Sequence, residues 1–240
     1  MTGTRGSVLI LMPAFNEAGT IGMVLERVRQ HARDCDVLVV NDGSRDGTRG
    51  AVEAAGVAQI VLPCNLGYGP ALQAGFRYAE MAGYPTVVLL DADGQHDPAD
   101  IPRVLEAMDR SGADVVIGSR FVNGGWYSGP LPRRLGMQFF SLVTGLVIGQ
   151  RIFDTTSGFK ALRRVAYRPL ISGHFLDFHA ECLVFWGKLG LRIAEVPIAT
   201  RPRSDGRSMY SWFTLMNYPF KTLMLMMLGL MDARRRRPLR

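Results

Sequence analysis

Short apolar runs rich in β-branched residues recur through the first half of the chain, at residues 8–12, 37–40, 60–62, 86–90 and 115–117. Runs of about five residues that are apolar throughout fit strands buried on both faces of a mostly parallel sheet. Between them the spacing turns helical. Ile21, Val24, Leu25 and Val28 follow i, i+3, i+4, i+7, and Ile101, Val104, Leu105 and Met108 repeat it, with Pro102 tolerated in a first turn. This alternation predicts a doubly wound α/β sheet, in which functional residues gather beyond the carboxyl ends of the strands. Polar clusters stand at those places: Asn16-Glu17, Asn41-Asp42-Gly43-Ser44, Asp91-Ala92-Asp93 and Gly118-Ser119-Arg120.

The second half reads differently. Residues 135–148 are apolar on most sides but too few to span a bilayer. Residues 158–162 and 193–198 read as further strands. The segment 209–231 is apolar and holds six of the twelve methionines. Within it, Asn217, Pro219 and Lys221 leave only 222–231 uninterrupted, so an interfacial helix fits better than a spanning one.

With 240 residues, 48% of them hydrophobic, the chain can bury a core without disulfides or structural metals. Cys35, Cys64 and Cys182 are too few and too scattered for a disulfide framework or a cysteine-type zinc site, which argues for a reducing compartment. The apolar run before Pro13 is too short for a secretory signal. Net charge is +7, but five arginines (234–237 and 240) sit in the last seven residues, leaving +2 on the rest. A nucleic-acid protein spreads its positives over a face; a basic end beside an apolar segment suits an anionic membrane surface.

The candidate chemistry centres on Asp91 and Asp93. If the strand 86–90 continues, residues i and i+2 point to one side, with Ala92 opposite. Two such carboxylates form a hard oxygen site for Mg²⁺ or Mn²⁺, the remaining positions falling to water and a substrate's phosphates. An isolated D-x-D is more often a solvated turn, so its setting decides. Asp42 lies beyond a buried strand, where it can accept hydrogen bonds from a base or ribose, while Asp46 or Thr48 caps the next helix. The segment 65–75 carries Gly67, Gly69 and Gly75 without forming G-x-G-x-x-G, so dinucleotide binding is not indicated.

Pro13-Ala14-Phe15-Asn16-Glu17, the Asn-Asp-Gly-Ser box, 65–75, Asp91-Ala92-Asp93-Gly94-Gln95, Gly118-Ser119-Arg120 and Asp154-Thr155-Thr156-Ser157-Gly158-Phe159 follow one another in order. Over roughly residues 7–208 the chain resembles family 2 glycosyltransferases of the GT-A fold. The resemblance is closest to the polyprenyl-phosphate sugar transferases of the dolichol-phosphate mannose synthase group. It implies residues 1–208 as the catalytic domain, with 1–120 as the nucleotide-sugar half and 121–208 as the acceptor half. Residues 209–240 would be a membrane-associating helix and basic tail.

The resemblance further implies inverting transfer of one hexose from a GDP- or UDP-sugar to a polyprenyl monophosphate, at the cytoplasmic face of a membrane. Pro13, Ala14, Phe15, Asn16, Glu17, Asp42, Gly69, Asp91, Ala92, Asp93 and Gln95 would hold the donor, with Asp91, Asp93 and Gln95 on Mg²⁺ or Mn²⁺. A phosphate monoester is largely dianionic at neutral pH, so this acceptor needs charge neutralisation more than a base. Arg120 and Arg134, with Arg133, Arg201 and Ser208 behind them, are the candidates for its phosphate.

Asp177 and Glu181 are spaced i, i+4 as on one helix face, and the resemblance implies an acidic base region there, so either would act as base or orient acceptor or donor; Asp154 would line the reaction centre or serve as a turn acid. His174 and His179 read as structural. The alternatives are a transferase for a soluble glycan or protein hydroxyl, or an inactive subunit that partners a membrane protein. A small separate membrane protein remains open as an assistant.

Overall fold

The computed structural model describes residues 6–122, 131–172, 175–200 and 212–236, with side chains in all of these except 131–135 and 212–219. Among the described residues, seven strands form one sheet in the order β3-β2-β1-β4-β6-β5-β7. They are β1 (Val8–Ala14), β2 (Asp36–Asn41), β3 (Ala58–Val61), β4 (Thr86–Leu89), β5 (Val115–Ser119), β6 (Lys160–Arg163) and β7 (Ile193–Pro197). All pairings are parallel except those of β6, which runs antiparallel between β4 and β5.

Alternation along each strand feeds two cores. Leu9 and Leu11 of β1 and Val87 and Leu89 of β4 face one side; Ile10, Met12 and Val88 face the other. The second face is covered by α1 (Ile21–His31) and α4 (Ile101–Ser111), through the residues whose spacing predicted them: Ile21, Val24, Leu25 and Val28, then Ile101, Val104 and Met108. The first face is covered by α3 (Tyr68–Ala82) and α7 (Ala180–Leu189). The short helices α2 (Thr48–Ala54) and α6 (Arg164–Tyr167), with α5 (Leu131–Ile148) and α8 (Trp212–Arg236), complete the element order.

The strands match the apolar runs to within two residues at each end. Helix α5 begins earlier than residue 135, because Pro132 falls in its first turn, where a missing N–H costs no helical bond. Helix α8 continues through Asn217, Pro219 and Lys221. Among the described residues, no helix is long and apolar enough to cross a membrane.

Direction reverses at β1, where β2 and β3 lie to one side and β4 to the other. This is the switch point at which open α/β sheets leave a crevice for ligands. Because β6 is antiparallel, its amino end lies at the same edge as the carboxyl ends of β4 and β5; Lys160 sits opposite both Leu89 and Ile117. The antiparallel insertion therefore delivers the 154–159 segment to the edge that already carries Asp91 and Arg120.

Candidate active site

Three loops at the switch point are laced together by side chains that accept from backbone N–H groups. Asn16, at φ +56°, takes the Arg45 N–H on its Oδ1 at 2.9 Å, and its own N–H reaches Ser44 Oγ at 3.0 Å. Glu17 N–H donates to Thr48 Oγ1 at 2.8 Å, and Ala18 N–H to Asp46 Oδ2 at 3.1 Å. Asp46 also accepts the Thr48 N–H at the first residue of α2, but the N-cap position is Gly47, so neither Asp46 nor Thr48 is the capping residue the sequence suggested. Burial works against the Asp46 charge, yet these bonds hold its carboxyl below the usual range. Within this frame Pro13 and Ala14 end β1, and the Phe15 ring lies exposed beside the loop.

Asp42 is buried and spans two of the loops. Its Oδ1 accepts from Leu66 N–H and its Oδ2 from Gly67 N–H, both at 2.8 Å. The expectation of a base or ribose contact at Asp42 thus meets a carboxylate that already shapes the 65–67 turn. At Gly69 a Cβ would lie 2.6 Å from Phe175 O and 2.7 Å from Leu176 O, so the chain's own backbone already requires a glycine there.

Asp91 and Asp93 do not continue a strand: β4 ends at Leu89, and 91–94 form a turn. The turn, rather than strand alternation, buries Ala92 in the core and orders the acids. Asp93 is buried and accepts the Gln95 N–H at 3.0 Å. Asp91 is partly exposed; Tyr68 Oη donates to its Oδ1 at 3.2 Å, and His96 Nε2 stands 4.0 Å from its Oδ2. Burial, then the negative charge of Asp91, push the Tyr68 phenol well above its ordinary value, so it stays a donor. Burial drives the His96 imidazole down to about 4, which leaves it neutral near pH 7.

Among the described residues, no three His, Cys, Asp or Glu side chains gather into a metal cage. The donor set still fits a hard divalent cation: two carboxylates beside a glutamine, at the mouth of the crevice. Such an ion takes its remaining ligands from phosphates and water.

Arg120 and Asp154 answer each other across 34 residues. Arg120 Nε and Nη2 donate to the two Asp154 oxygens at 2.8 Å, and Nη2 also reaches Thr156 Oγ1 at 2.6 Å. Asp154 is fully buried. Although burial opposes its ionisation, the Arg120 guanidinium keeps its carboxyl below the usual range. Glu195 in turn accepts the Phe153 and Asp154 N–H groups at 2.8 and 2.9 Å. Asp154 is therefore neither a solvated turn acid nor exposed to a reaction centre. It orients one side of Arg120, a partner that the sequence did not assign to this candidate phosphate ligand.

Asp177 and Glu181 do not share a helix face, because α7 starts at Ala180 and Asp177 precedes it. Glu181 is buried and folds back, accepting Asp177 N–H at 3.0 Å and His179 N–H at 3.1 Å. Burial raises its carboxyl above the usual range. Asp177 pairs with Lys221 of α8 at 2.8 Å. The lysine that interrupts the apolar run is thus turned toward the site loop. Arg201 and Ser208 lie outside the described residues, as do the side chains of Arg133 and Arg134; His174 does too.

Lys160 and Tyr68 were not singled out as functional. Lys160 is buried in β6, with Nζ donating to Ser157 O and, at 3.2 Å, to Phe178 O. A lysine within the otherwise apolar run 158–162 was the available signal. Beside this edge, α5 and α8 both pack on α7 and expose apolar side chains. Leu146 of α5 is 76% and Phe220 of α8 77% exposed, with Phe139, Leu142, Met224 and Met227 also at the surface.

A mostly parallel open sheet of this order, flanked by helices, is the GT-A fold. Solved structures share that fold. Glucosyl-3-phosphoglycerate synthase from Mycobacterium tuberculosis, in complex with phosphoglyceric acid, superposes with a TM-score of 0.71 at 19% identity, covering 96% of this chain and 81% of that one. A complex of the same enzyme with Mn²⁺, UDP-glucose and phosphoglyceric acid gives 0.70 at 20% identity, covering 95% and 80%.

The glycosyl transferase family 2 model matches residues 9–170, and the chain belongs to that family: it is a glycosyltransferase. The undecaprenyl-phosphate mannosyltransferase of Micrococcus luteus is 36% identical over 214 residues, covering 85% of this chain and 87% of the relative. The polyprenol monophosphomannose synthase of Mycolicibacterium smegmatis is 31% identical over 239 residues, covering 95% and 89%.

Proposed function

We propose that this glycosyltransferase moves one hexose, with inversion, from a GDP- or UDP-sugar to a polyprenyl monophosphate at the cytoplasmic face of a membrane. The named activities of the two bacterial relatives support the acceptor class. The observation that carries the reading is the commitment of both candidate bases. Asp177 is ion-paired to Lys221, and Glu181 is buried and bonded to backbone N–H groups. A sugar or protein hydroxyl must lose its proton to a poised base. A phosphate monoester, with a second pKa near 6, arrives largely deprotonated. An acceptor that needs no base suits a site whose two candidate bases are already engaged within the protein.

In this reading the 13–17 and 41–48 loops hold the nucleoside. Asp91 and Asp93, with Gln95, hold Mg²⁺ or Mn²⁺, which when bound stabilises the charge developing on the departing nucleoside diphosphate. Asp91 and Asp93 orient the diphosphate so that the anomeric carbon faces the acceptor. Arg120, braced by Asp154 and Thr156, presents its guanidinium toward the acceptor phosphate, with Arg134, Arg201 and Ser208 as further contacts.

The apolar face of α5 and α8 takes the isoprenoid tail and the outer acyl region, and the arginine run meets anionic headgroups. Residues 1–208 act as the catalytic domain and 209–240 as the membrane-associating element. Incubating the full chain with UDP- and GDP-sugars, undecaprenyl or dolichyl phosphate and Mn²⁺, then weighing the lipid products, tests this. One sugar added to the lipid phosphate is expected. Transfer only to soluble hydroxyl acceptors would overturn it.

A further inference from the structure

We infer that Tyr68 is a positioning residue for the cation site: its hydroxyl sets the rotation of the Asp91 carboxylate. The inference rests on the proposed role of Asp91 in holding a divalent cation.

The start of α3 is pinned from both sides. Gly67, at φ +99°, has its N–H held by Asp42, and Gly69 is pressed against the Phe175 and Leu176 carbonyls. Tyr68 between them has little backbone freedom. Its hydroxyl donates to Asp91 Oδ1, while its ring lies against His179, centroids 6.4 Å apart.

The other Asp91 oxygen meets a wall. A Cβ on Gly158 would come within 2.2 Å of Asp91 Oδ2. The carboxylate thus sits in a slot, with the phenol at one oxygen and the Gly158 backbone and the His96 ring at the other. An aspartate's terminal torsion is otherwise broad and nearly two-fold. A carboxylate fixed in rotation presents its lone pairs to an ion in one direction only. Partners of this kind are typically worth about 10–100-fold in metal affinity when lost. Because the 175–179 segment also braces α3, Tyr68 links the cation site to the loop carrying Asp177.

The test is Tyr68→Phe in the full chain, which keeps the ring and removes only the hydroxyl. Mn²⁺ binding is titrated by the loss of the free-ion EPR signal, with UDP and with GDP, beside the parent and Asp91→Asn. The expected result is a Kd for Mn²⁺ weakened about tenfold or more. Affinity for the nucleotide without metal should be unchanged, and transfer should recover as Mn²⁺ is raised. Gly158→Ala, which intrudes from the opposite side, should also weaken Mn²⁺ binding if its melting curve shows a folded protein.

An Mn²⁺ titration of Tyr68→Phe that superposes on the parent, or is tighter, overturns the inference while leaving the cation site standing. So does a loss of metal-free nucleotide binding with the Mn²⁺ affinity unchanged. A parent that binds Mn²⁺ no better than Asp91→Asn overturns the reading of the site, and the role of Tyr68 with it.

Discussion

The switch-point edge and the α5–α8 face solve opposite problems. At the edge, polar side chains are buried and hydrogen-bonded. Asp42, Asp93 and Asp154 each accept backbone N–H groups, and Lys160 donates to two carbonyls. At the α5–α8 face, apolar side chains are exposed, and Phe220, Met224 and Met227 meet no core. A buried acid that braces a loop holds a polar ligand's surroundings still; an exposed methionine row adapts to an irregular apolar partner. The first arrangement suits a diphosphate and the second a lipid.

The sharpest break falls at the cation pair. Asp91→Ala and Asp93→Ala should each cut kcat by roughly two to three orders of magnitude, the size of effect that electrostatic stabilisers of developing charge carry. Steady-state transfer assays check it, and a loss under tenfold in either variant contradicts it.

Asp154→Ala comes next. It leaves the Arg120 guanidinium without its buried partner, and breaking such a pair costs about 3–5 kcal/mol. Denaturant unfolding measures this. A midpoint equal to the parent's would show that the pair braces nothing.

On the α5–α8 face the contrast can be drawn within one helix. Leu225→Ala, at a buried position, should cost about 2–5 kcal/mol of stability. Met224→Ser with Met227→Ser should leave stability nearly unchanged and lower partitioning onto anionic liposomes. If the serine pair unfolds the protein instead, that row belongs to the core. Arg234→Gln with Arg235→Gln is expected to weaken the same partitioning by about 1 kcal/mol per arginine, an effect that fades as salt rises. Salt-independent partitioning in both proteins would remove the electrostatic part.

The smallest effect is on pH dependence. Burial, then the Lys160 ammonium, push the His179 imidazole down to about 3. An unfolded histidine titrates near pH 6.5, so between these values the unfolded chain binds the extra proton. The contribution is complete above about pH 6.5 and is lost as pH falls toward 3. His179→Asn should flatten the fall of Tm between about pH 7 and pH 4 relative to the parent. Parallel curves would place the histidine in solvent.

What could be read along the chain was local. Strands β1, β2, β4 and β5 announce themselves as short apolar runs, and α1 and α4 by the phase of their buried residues. Each candidate cluster at a strand end follows from that pattern. What escaped is long-range. Nothing near Arg120 signals a buried acid at Asp154, because their meeting depends on β6 entering the sheet antiparallel. Asp177 and Glu181 have helical spacing, yet α7 begins between them, with Glu181 folded back onto the preceding N–H groups. Gly69 packs against the 175–176 backbone, a neighbour far away in sequence that no local pattern announces.

The central claim is that Asp91 and Asp93 carry the cation that meets a departing diphosphate. A crystal of the full chain grown with Mn²⁺ and a nucleotide sugar, with the manganese located by its anomalous signal, tests it most directly. The account predicts one peak within coordinating distance of both carboxylates and of the diphosphate oxygens. A peak elsewhere, or a diphosphate bound with neither aspartate near it, would contradict it.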